Sequence, residues 1–362
     1  MSNARKLADN LPSVGQLSGR NMIINGAMRI NQRSDNSTAT GFKTVDRFRF
    51  QQSNLDEATI TQSQSNQAPA GFKNSYKLTI NTPENSVANN EWLYCRYTVE
   101  AQDAQRLNFG SSNAKQTTLS FYVKSSITGT YSVLFYVPDS NRNQTKTYTI
   151  DSADTWEYKT LTFDGDTGAV IDDNTAQGPD FYWTLAAGSD RKSSDSTSWG
   201  TYASTGAAYG QTANVAGTAS ATWNITGVQL EVGPQATPFE HELDSDTLAK
   251  CQRYYWDTTY FNNRYITATK HDGTWYCSFD APITMRANPT ATATGGSTNS
   301  YRIWDGGGSQ NLTGNPNCSA GASGVVLITA AASIGANGEA GLMTFGDGTN
   351  ADRIFVSLDA EL

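Results

Sequence analysis

The segment Trp223-Asn224-Ile225-Thr226-Gly227-Val228-Gln229-Leu230-Glu231-Val232-Gly233-Pro234 alternates apolar and polar residues. A period of two is the mark of a half-buried strand. A second segment, Arg20-Asn21-Met22-Ile23-Ile24-Asn25-Gly26-Ala27-Met28, follows the same pattern less cleanly, and the pair is expected to form the outer strands of one sandwich. Between them, residues 46–52, 76–81, 92–100, 117–124, 131–137, 145–150, 156–163 and 182–185 are rich in Phe, Tyr, Val, Ile and Thr. Clusters of Gly, Pro, Asn or Asp separate them, so each reads as a strand. No helical stripe of useful length interrupts the series, which points to two antiparallel sheets packed face to face, a jelly roll or a related sandwich. Residues 164–180 and 188–220 read as long surface loops.

From Asp244 to Trp256 the period changes. Asp244 or Ser245 can cap a helix, and Leu248, Cys251 and Tyr255 fall on one face at spacings of three and four. Strands resume at 265–269, 275–279, 290–294, 325–330 and 353–358, separated by the glycine-rich stretches 305–308 and 334–341. The expected fold is therefore all-β: a jelly-roll-like antiparallel β-sandwich over 21–240, a linker with a short helix over 241–257, and a second, smaller β-rich C-terminal domain over 258–362. A unit so small and polar is expected to bury little core and to be completed by neighbouring subunits.

Only 17% of the 362 residues are charged and 31 are Gly, a composition suited to tight turns. The net charge of −8 opposes nonspecific nucleic-acid binding and docking on anionic membranes. No stretch approaches the length of a membrane helix, and the opening residues hold no apolar signal run. The expectation is a chain made in a cytoplasm. Cys95, Cys251, Cys277 and Cys318 are widely spaced and read as small buried hydrophobes rather than a disulfide framework. Residues 1–20 stand apart, because Arg5, Lys6 and Arg20 face only Asp9. Such a basic arm reads either as a peptide that docks on an acidic partner or as a frayed terminus.

Catalytic motifs are scarce. His241 and His271 are the only histidines, which leaves little material for triads or multi-His metal sites. Asp164 with Asp166, and Asp172 with Asp173, are the nearest carboxylate pairs, but Asp-Gly-Asp-Thr-Gly after a strand is turn chemistry. No cofactor is expected. A structural calcium ion is compatible with carboxylates of this kind, and the sequence does not place it. Aromatic rings are better functional material, since an exposed ring stacks on the apolar face of a sugar. Trp156, Trp183, Trp199 and Tyr202 lie in or beside the long loops, and Trp304 lies in the C-terminal unit. Alternation within strands favours burial of Trp156, Trp183 and Trp275. Trp199 and Trp304, in small polar company, are the leading candidates.

Several short signatures resemble bacteriophage tail-fibre and head-fibre proteins: the opening Asn21 to Met28, Val45-Asp46-Arg47-Phe48, the closing Ile225 to Gly233, Cys251-Gln252-Arg253-Tyr254-Tyr255, Pro282 to Thr290, and the terminal Leu358-Asp359-Ala360-Glu361-Leu362. In that family a sandwich similar to a carbohydrate-binding module precedes the Cys-Gln-Arg-Tyr-Tyr signature. The resemblance implies a non-enzymatic virion protein on the tail or capsid surface, commonly a homotrimer. Its implied partners are further copies of itself, a tail adapter, portal-side or capsid protein held through residues 1–20, and a host cell-surface glycan. A capsid head fibre or decoration protein, a virion-borne glycan depolymerase and a detached cellular sugar-binding module are the alternatives.

Overall fold

In the computed structural model, residues 19–258, 265–295, 301–312, 314–345 and 355–362 are described. The chain divides into two compact units, with the boundary between Thr247 and Leu248.

Among the described residues the first unit holds twelve strands: β1 (Asn36–Ser37), β2 (Arg49–Ser53), β3 (Thr59–Ser65), β4 (Ser75–Thr82), β5 (Trp92–Glu100), β6 (Thr117–Ser125), β7 (Gly129–Val137), β8 (Arg142–Ile150), β9 (Glu157–Phe163), β10 (Gln177–Ala187), β11 (Gly200–Thr201) and β12 (Thr222–Val232). They form two six-stranded sheets. The first runs β1-β3-β4-β12-β6-β9 and the second β11-β8-β7-β10-β5-β2. Every pairing is antiparallel. The fold is thus an all-β sandwich, as the strand pattern implies. Alternation sets its interior: Leu119, Phe121 and Val123 of β6 meet Phe181, Trp183 and Leu185 of β10 in one core. Phe121 stands edge-on to Trp183, with ring centroids 6.0 Å apart.

The two bookend segments lie side by side, but not as outer strands. β12 is interior, between β4 and β6, and nearly all of it is buried. Beyond Ile225 it leaves β4 and takes the opening segment as its neighbour instead, with Met22 N donating to Leu230 O (2.9 Å) and Val228 N to Gly26 O (3.0 Å). That opening segment is a turn rather than a strand. Asn25 and Met28 have positive φ, and the Asn25 side chain bonds Ile30 and Asp46. A Cβ on Gly26 would lie 2.1 Å from Val228 O, so only glycine lets the two backbones approach.

The 188–220 segment is more than a surface loop. Ala207 and Ala208 are fully buried on the outer side of the second sheet, and Val215 and Ala216 enter the main core. Small side chains let this segment lie flat on the strands, which is why a composition of Ser, Thr, Gly and Ala reads as solvent-facing.

Helix α1 (Asp244–Gln252) stops before Tyr255, which opens β13 (Tyr255–Asp257). Strand pairing prevails over the helical spacing there: Tyr255 registers with Asp359 of the last strand. The second unit continues with β14 (Tyr265–His271), β15 (Thr274–Asp280), β16 (Thr290–Thr294), β17 (Tyr301–Asp305), β18 (Gly308–Asn311), β19 (Asn317–Ala320), β20 (Val325–Ala331), β21 (Ala340–Phe345) and β22 (Phe355–Asp359). These build a three-stranded sheet, β13-β22-β16, and a seven-stranded one, β18-β17-β21-β14-β15-β20-β19. The unit has a core of its own around Trp275, Ile303, Ile328 and Met343, contrary to the expectation of little internal burial. Two glycines make room for it, since a Cβ on Gly341 would sit 2.3 Å from Trp304 O and 2.7 Å from the Trp275 ring. The Gly335 position is similarly filled by Trp275.

Three of the separated signatures meet here. Ala360 N donates to Tyr254 O (2.8 Å), Arg286 N to Arg253 O (2.8 Å), and Arg286 Nε to Ala360 O (2.8 Å). The Cys251–Tyr255 signature is therefore a structural node, with Cys251, Tyr254 and Tyr255 buried. No two of the four cysteines are joined as a disulfide; Cys95, Cys251 and Cys277 are buried and Cys318 is partly so.

Candidate functional site

The rings singled out from the sequence do not converge. Trp183 is fully buried in the sandwich core and offers no face to a ligand. Trp199 is half-buried against Phe109 and Phe135, and its Nε1 donates to Asp164 O at 2.7 Å. That arrangement pins a loop. Trp156 is half-buried on the other sheet with Lys124 Nζ 5.6 Å from its ring centre. Trp304, in the second unit, is 36% exposed beneath the Arg302 guanidinium. Arg20 donates to Pro238 O at 2.6 Å and lies 3.9 Å from Glu231, so it secures the opening segment to the sandwich. Arg5 and Lys6 lie outside the described residues.

Tyr202 alone leads to a larger constellation. It packs on Tyr136, ring centroids 4.7 Å apart, on the outer face of the second sheet. Strand alternation fills that face: Trp92, Tyr94, Arg96 and Thr98 of β5 point outward while Leu93, Cys95, Tyr97 and Val99 enter the core. From β10 come Asp180, Tyr182 and Thr184, and from β7 Leu134 and Tyr136. Trp92, Tyr94 and Tyr182 form a contiguous aromatic group, with centroid separations of 4.2, 5.6 and 5.1 Å. Tyr94, Tyr136 and Tyr202 are the partly exposed rings of this group. The same period-two reading that identified the strands could have found it, because Trp-x-Tyr-x-Arg in β5 is as regular as the core-facing set between.

Polar groups are held rigidly among these rings. Arg96 clamps Asp180 with two hydrogen bonds, Nε to Oδ1 at 3.1 Å and Nη2 to Oδ2 at 2.6 Å. Thr98, Gln177 and the Tyr182 hydroxyl also donate to Asp180, which is fully buried. Burial, then the nearby Asp180 charge, holds the Tyr182 phenol well above its ordinary range. Burial likewise raises Tyr94, against the pull of Arg96 and Arg49. The Tyr94 hydroxyl reaches Gln51 at 3.4 Å and that of Tyr136 reaches Asn141 at 3.1 Å. Arg49 lies beside Arg96 in register, with its guanidinium 4.8 Å from the Phe42 ring centre. Burial, and then the Arg96 charge, pull it down to about 10. Arg191 lies over Trp92 at 5.4 Å. Preordered rings with hydrogen-bonding rims can stack on a ring-shaped ligand and bond its edge.

A cavity of about 420 Å³ lies elsewhere, lined by Asn21, Arg29, Phe72, Phe239, His241 and Asp244 among others. Its Arg29 and Asp244 are already paired, and Phe72, Phe239 and His241 pack on one another. These pairings engage its charged and aromatic lining within the chain.

The sequence-level carboxylate pairs are turn elements. Asp166 is ion-paired with Arg142 and accepts Gly168 N at 2.9 Å. The Gln144 hydrogen bond, assisted by Lys146, holds the Asp164 carboxyl below the usual range, which is wrong for a general acid. Among the described residues, one group of three carboxylates has oxygens within 4.8 Å of one another: Asp56, Glu84 and Glu91. Their donor type fits a hard divalent cation. Glu84 and Glu91 already accept backbone N–H groups, from Glu57, Ala58 and Ala88.

No known family profile matches the sequence, and no curated protein matches it. Distant likenesses exist among solved structures. The enzymatically active domain of bacteriophage CBA120 tailspike protein 4 is 13% identical over 59% of this chain and 22% of its own, with a TM-score of 0.33. A family 11 carbohydrate-binding module of a Clostridium thermocellum cellulase is 10% identical, covering 56% of this chain and 98% of the module, TM-score 0.28. The CBM22-1–GH10 modules of the Clostridium thermocellum xylanase 10B are 9% identical over 58% of this chain and 30% of their own, TM-score 0.28. At such identities and scores they assign no role.

Proposed function

We propose that the chain is a non-enzymatic fibre protein of a phage particle that binds host-surface glycan on the outer face of its second sheet. The observation that carries the binding claim is the set of partly exposed rings Tyr94, Tyr136 and Tyr202, backed by the buried Trp92 and Tyr182 and edged by Gln51, Arg49 and Arg96. Sugars need both parts: rings for their C–H faces and fixed donors or acceptors for their hydroxyls. The acid at the centre of this face, Asp180, is locked by four donors, so the site supports binding rather than glycosidic cleavage.

The fibre part rests on the signature segments, three of which form one hydrogen-bonded node in the second unit. We take the basic arm ahead of Arg20 as the virion attachment, Arg20 itself being engaged by the sandwich, and the second unit as the trimer-forming part. Its exposed Tyr265, Leu342, Trp304, Leu327 and Val325 suit a subunit interface. Three weak sites on one trimer would give firm, reversible adsorption through effective concentration. A glycan array followed by host-cell adsorption tests the reading. The expected result is selective glycan binding without release of sugar ends, weakened at least tenfold, about 1.4 kcal/mol, by Tyr94→Ala. Released reducing ends would support the depolymerase instead.

A further inference from the structure

We infer that the glycan taken by this face is anionic, with its carboxylate or phosphate ester seated on Arg49 at the β2 edge. The inference rests on the outer face being the glycan site. Three arginines stand around the aromatic group, on a chain whose net charge is −8. Only Arg96 is matched by an acid within the face, through its two bonds to Asp180.

Arg49 is different. It is the register partner of Arg96 across β2 and β5, so two guanidinium groups lie on one row, followed by Tyr182 on β10. Its Nε is buried without a hydrogen-bond partner among the described residues. Its stabilising contact is the Phe42 ring, which covers the guanidinium plane and leaves the donor edge to be satisfied from elsewhere. A partly buried cation with a like charge beside it and no acid bonded to it, the nearby Asp180 being held by Arg96, is costly in the empty protein. An anion there recovers that cost, and the planar fork of a guanidinium matches two oxygens of a carboxylate or phosphate. Arg191 repeats the pattern at the other end of the group: it stacks on Trp92, and its Nε is likewise buried and unbonded among the described residues. The positions of the partly exposed rings then define the order of recognition, with the sugar plane over Tyr94 and its charged substituent toward β2.

The test uses the full-length chain on an array of uronate-, sialate- and phosphate-bearing oligosaccharides, each with its carboxyl-reduced or dephosphorylated twin. The expected result is binding to an anionic member that falls at least tenfold in the neutral twin and weakens with added salt. Which arm responds distinguishes carboxylate from phosphate. Arg49→Gln is expected to remove the preference for the charged member, so that charged and neutral twins bind alike, and to keep or raise the melting temperature; Arg49→Lys restores the salt dependence only in part. Equal binding of neutral and charged twins, unaltered by Arg49→Gln but abolished by Tyr94→Ala, would overturn the anion claim and leave the face intact. A blank array overturns both. A fall in melting temperature for Arg49→Gln with unchanged preference would make Arg49 a structural residue.

Discussion

Asp180→Asn is the substitution that most severely tests the polar framework beneath the aromatic face. Asp180 is fully buried and accepts from Arg96, Thr98, Gln177 and Tyr182. Asparagine keeps the shape and one acceptor, but it turns an N–H toward Arg96 or the neighbouring donors. Two cations, Arg96 and Arg49, then share one row without a neighbouring acid to offset them. Breaking a buried pair from one side costs about 3–5 kcal/mol, and a sandwich of this size loses roughly 2–4 °C per kcal/mol, so the melting temperature should fall by about 6–20 °C. Scanning calorimetry of the purified chain measures it, with Asp195→Asn as the control because that acid is fully exposed. The double variant Asp180→Asn with Arg96→Met should recover part of the loss, since it removes the orphaned cation. A change of less than about 2 °C for Asp180→Asn would refute the claim that this network is preorganised and closed to solvent.

Other outcomes follow from the same geometry. Gly341→Ala places a Cβ against Trp304 O and the Trp275 ring, and should destabilise the second unit by about 1–3 kcal/mol or more, read from Trp fluorescence during urea unfolding. Phe121→Ala empties the centre of the sandwich and should cost about 3–5 kcal/mol in the same assay on the first unit. Burial, together with Glu84 and Asp56, raises the Glu91 carboxyl above its ordinary value. The native state is therefore penalised for ionising it at pH values above that raised value, and the penalty fades as pH falls below the unfolded one. Glu91→Gln should raise the melting temperature at pH 7 and make no difference near pH 4; a lower melting temperature at pH 7 would contradict the assignment.

Local alternation was enough to read many of the strands. Residues 92–100 and 290–294 have the expected bounds because both their faces carry regular patterns. β3 escaped because Thr-Ile-Thr-Gln-Ser-Gln-Ser holds one apolar residue, and pairing on β4 rather than hydrophobicity makes it a strand. The neighbours of β12 could not be read at all, since alternation identifies a strand and not its partner. The candidate site is concealed for a related reason: aromatic exposure is expected in loops, whereas the face is built from strand residues against which Ala207 and Ala208 pack. Tyr202 was found because it belongs to that covering segment.

Calorimetric titration of one array-selected glycan into two variants tests the central claim most directly: the double substitution Tyr94→Ala/Tyr136→Ala on the outer face of the sandwich, and Trp304→Ala on the second unit. The account predicts that the first loses binding while both remain folded, and that the second binds as the unaltered chain does. Loss of binding in Trp304→Ala with retention in the double variant would move the site to the second unit and contradict it.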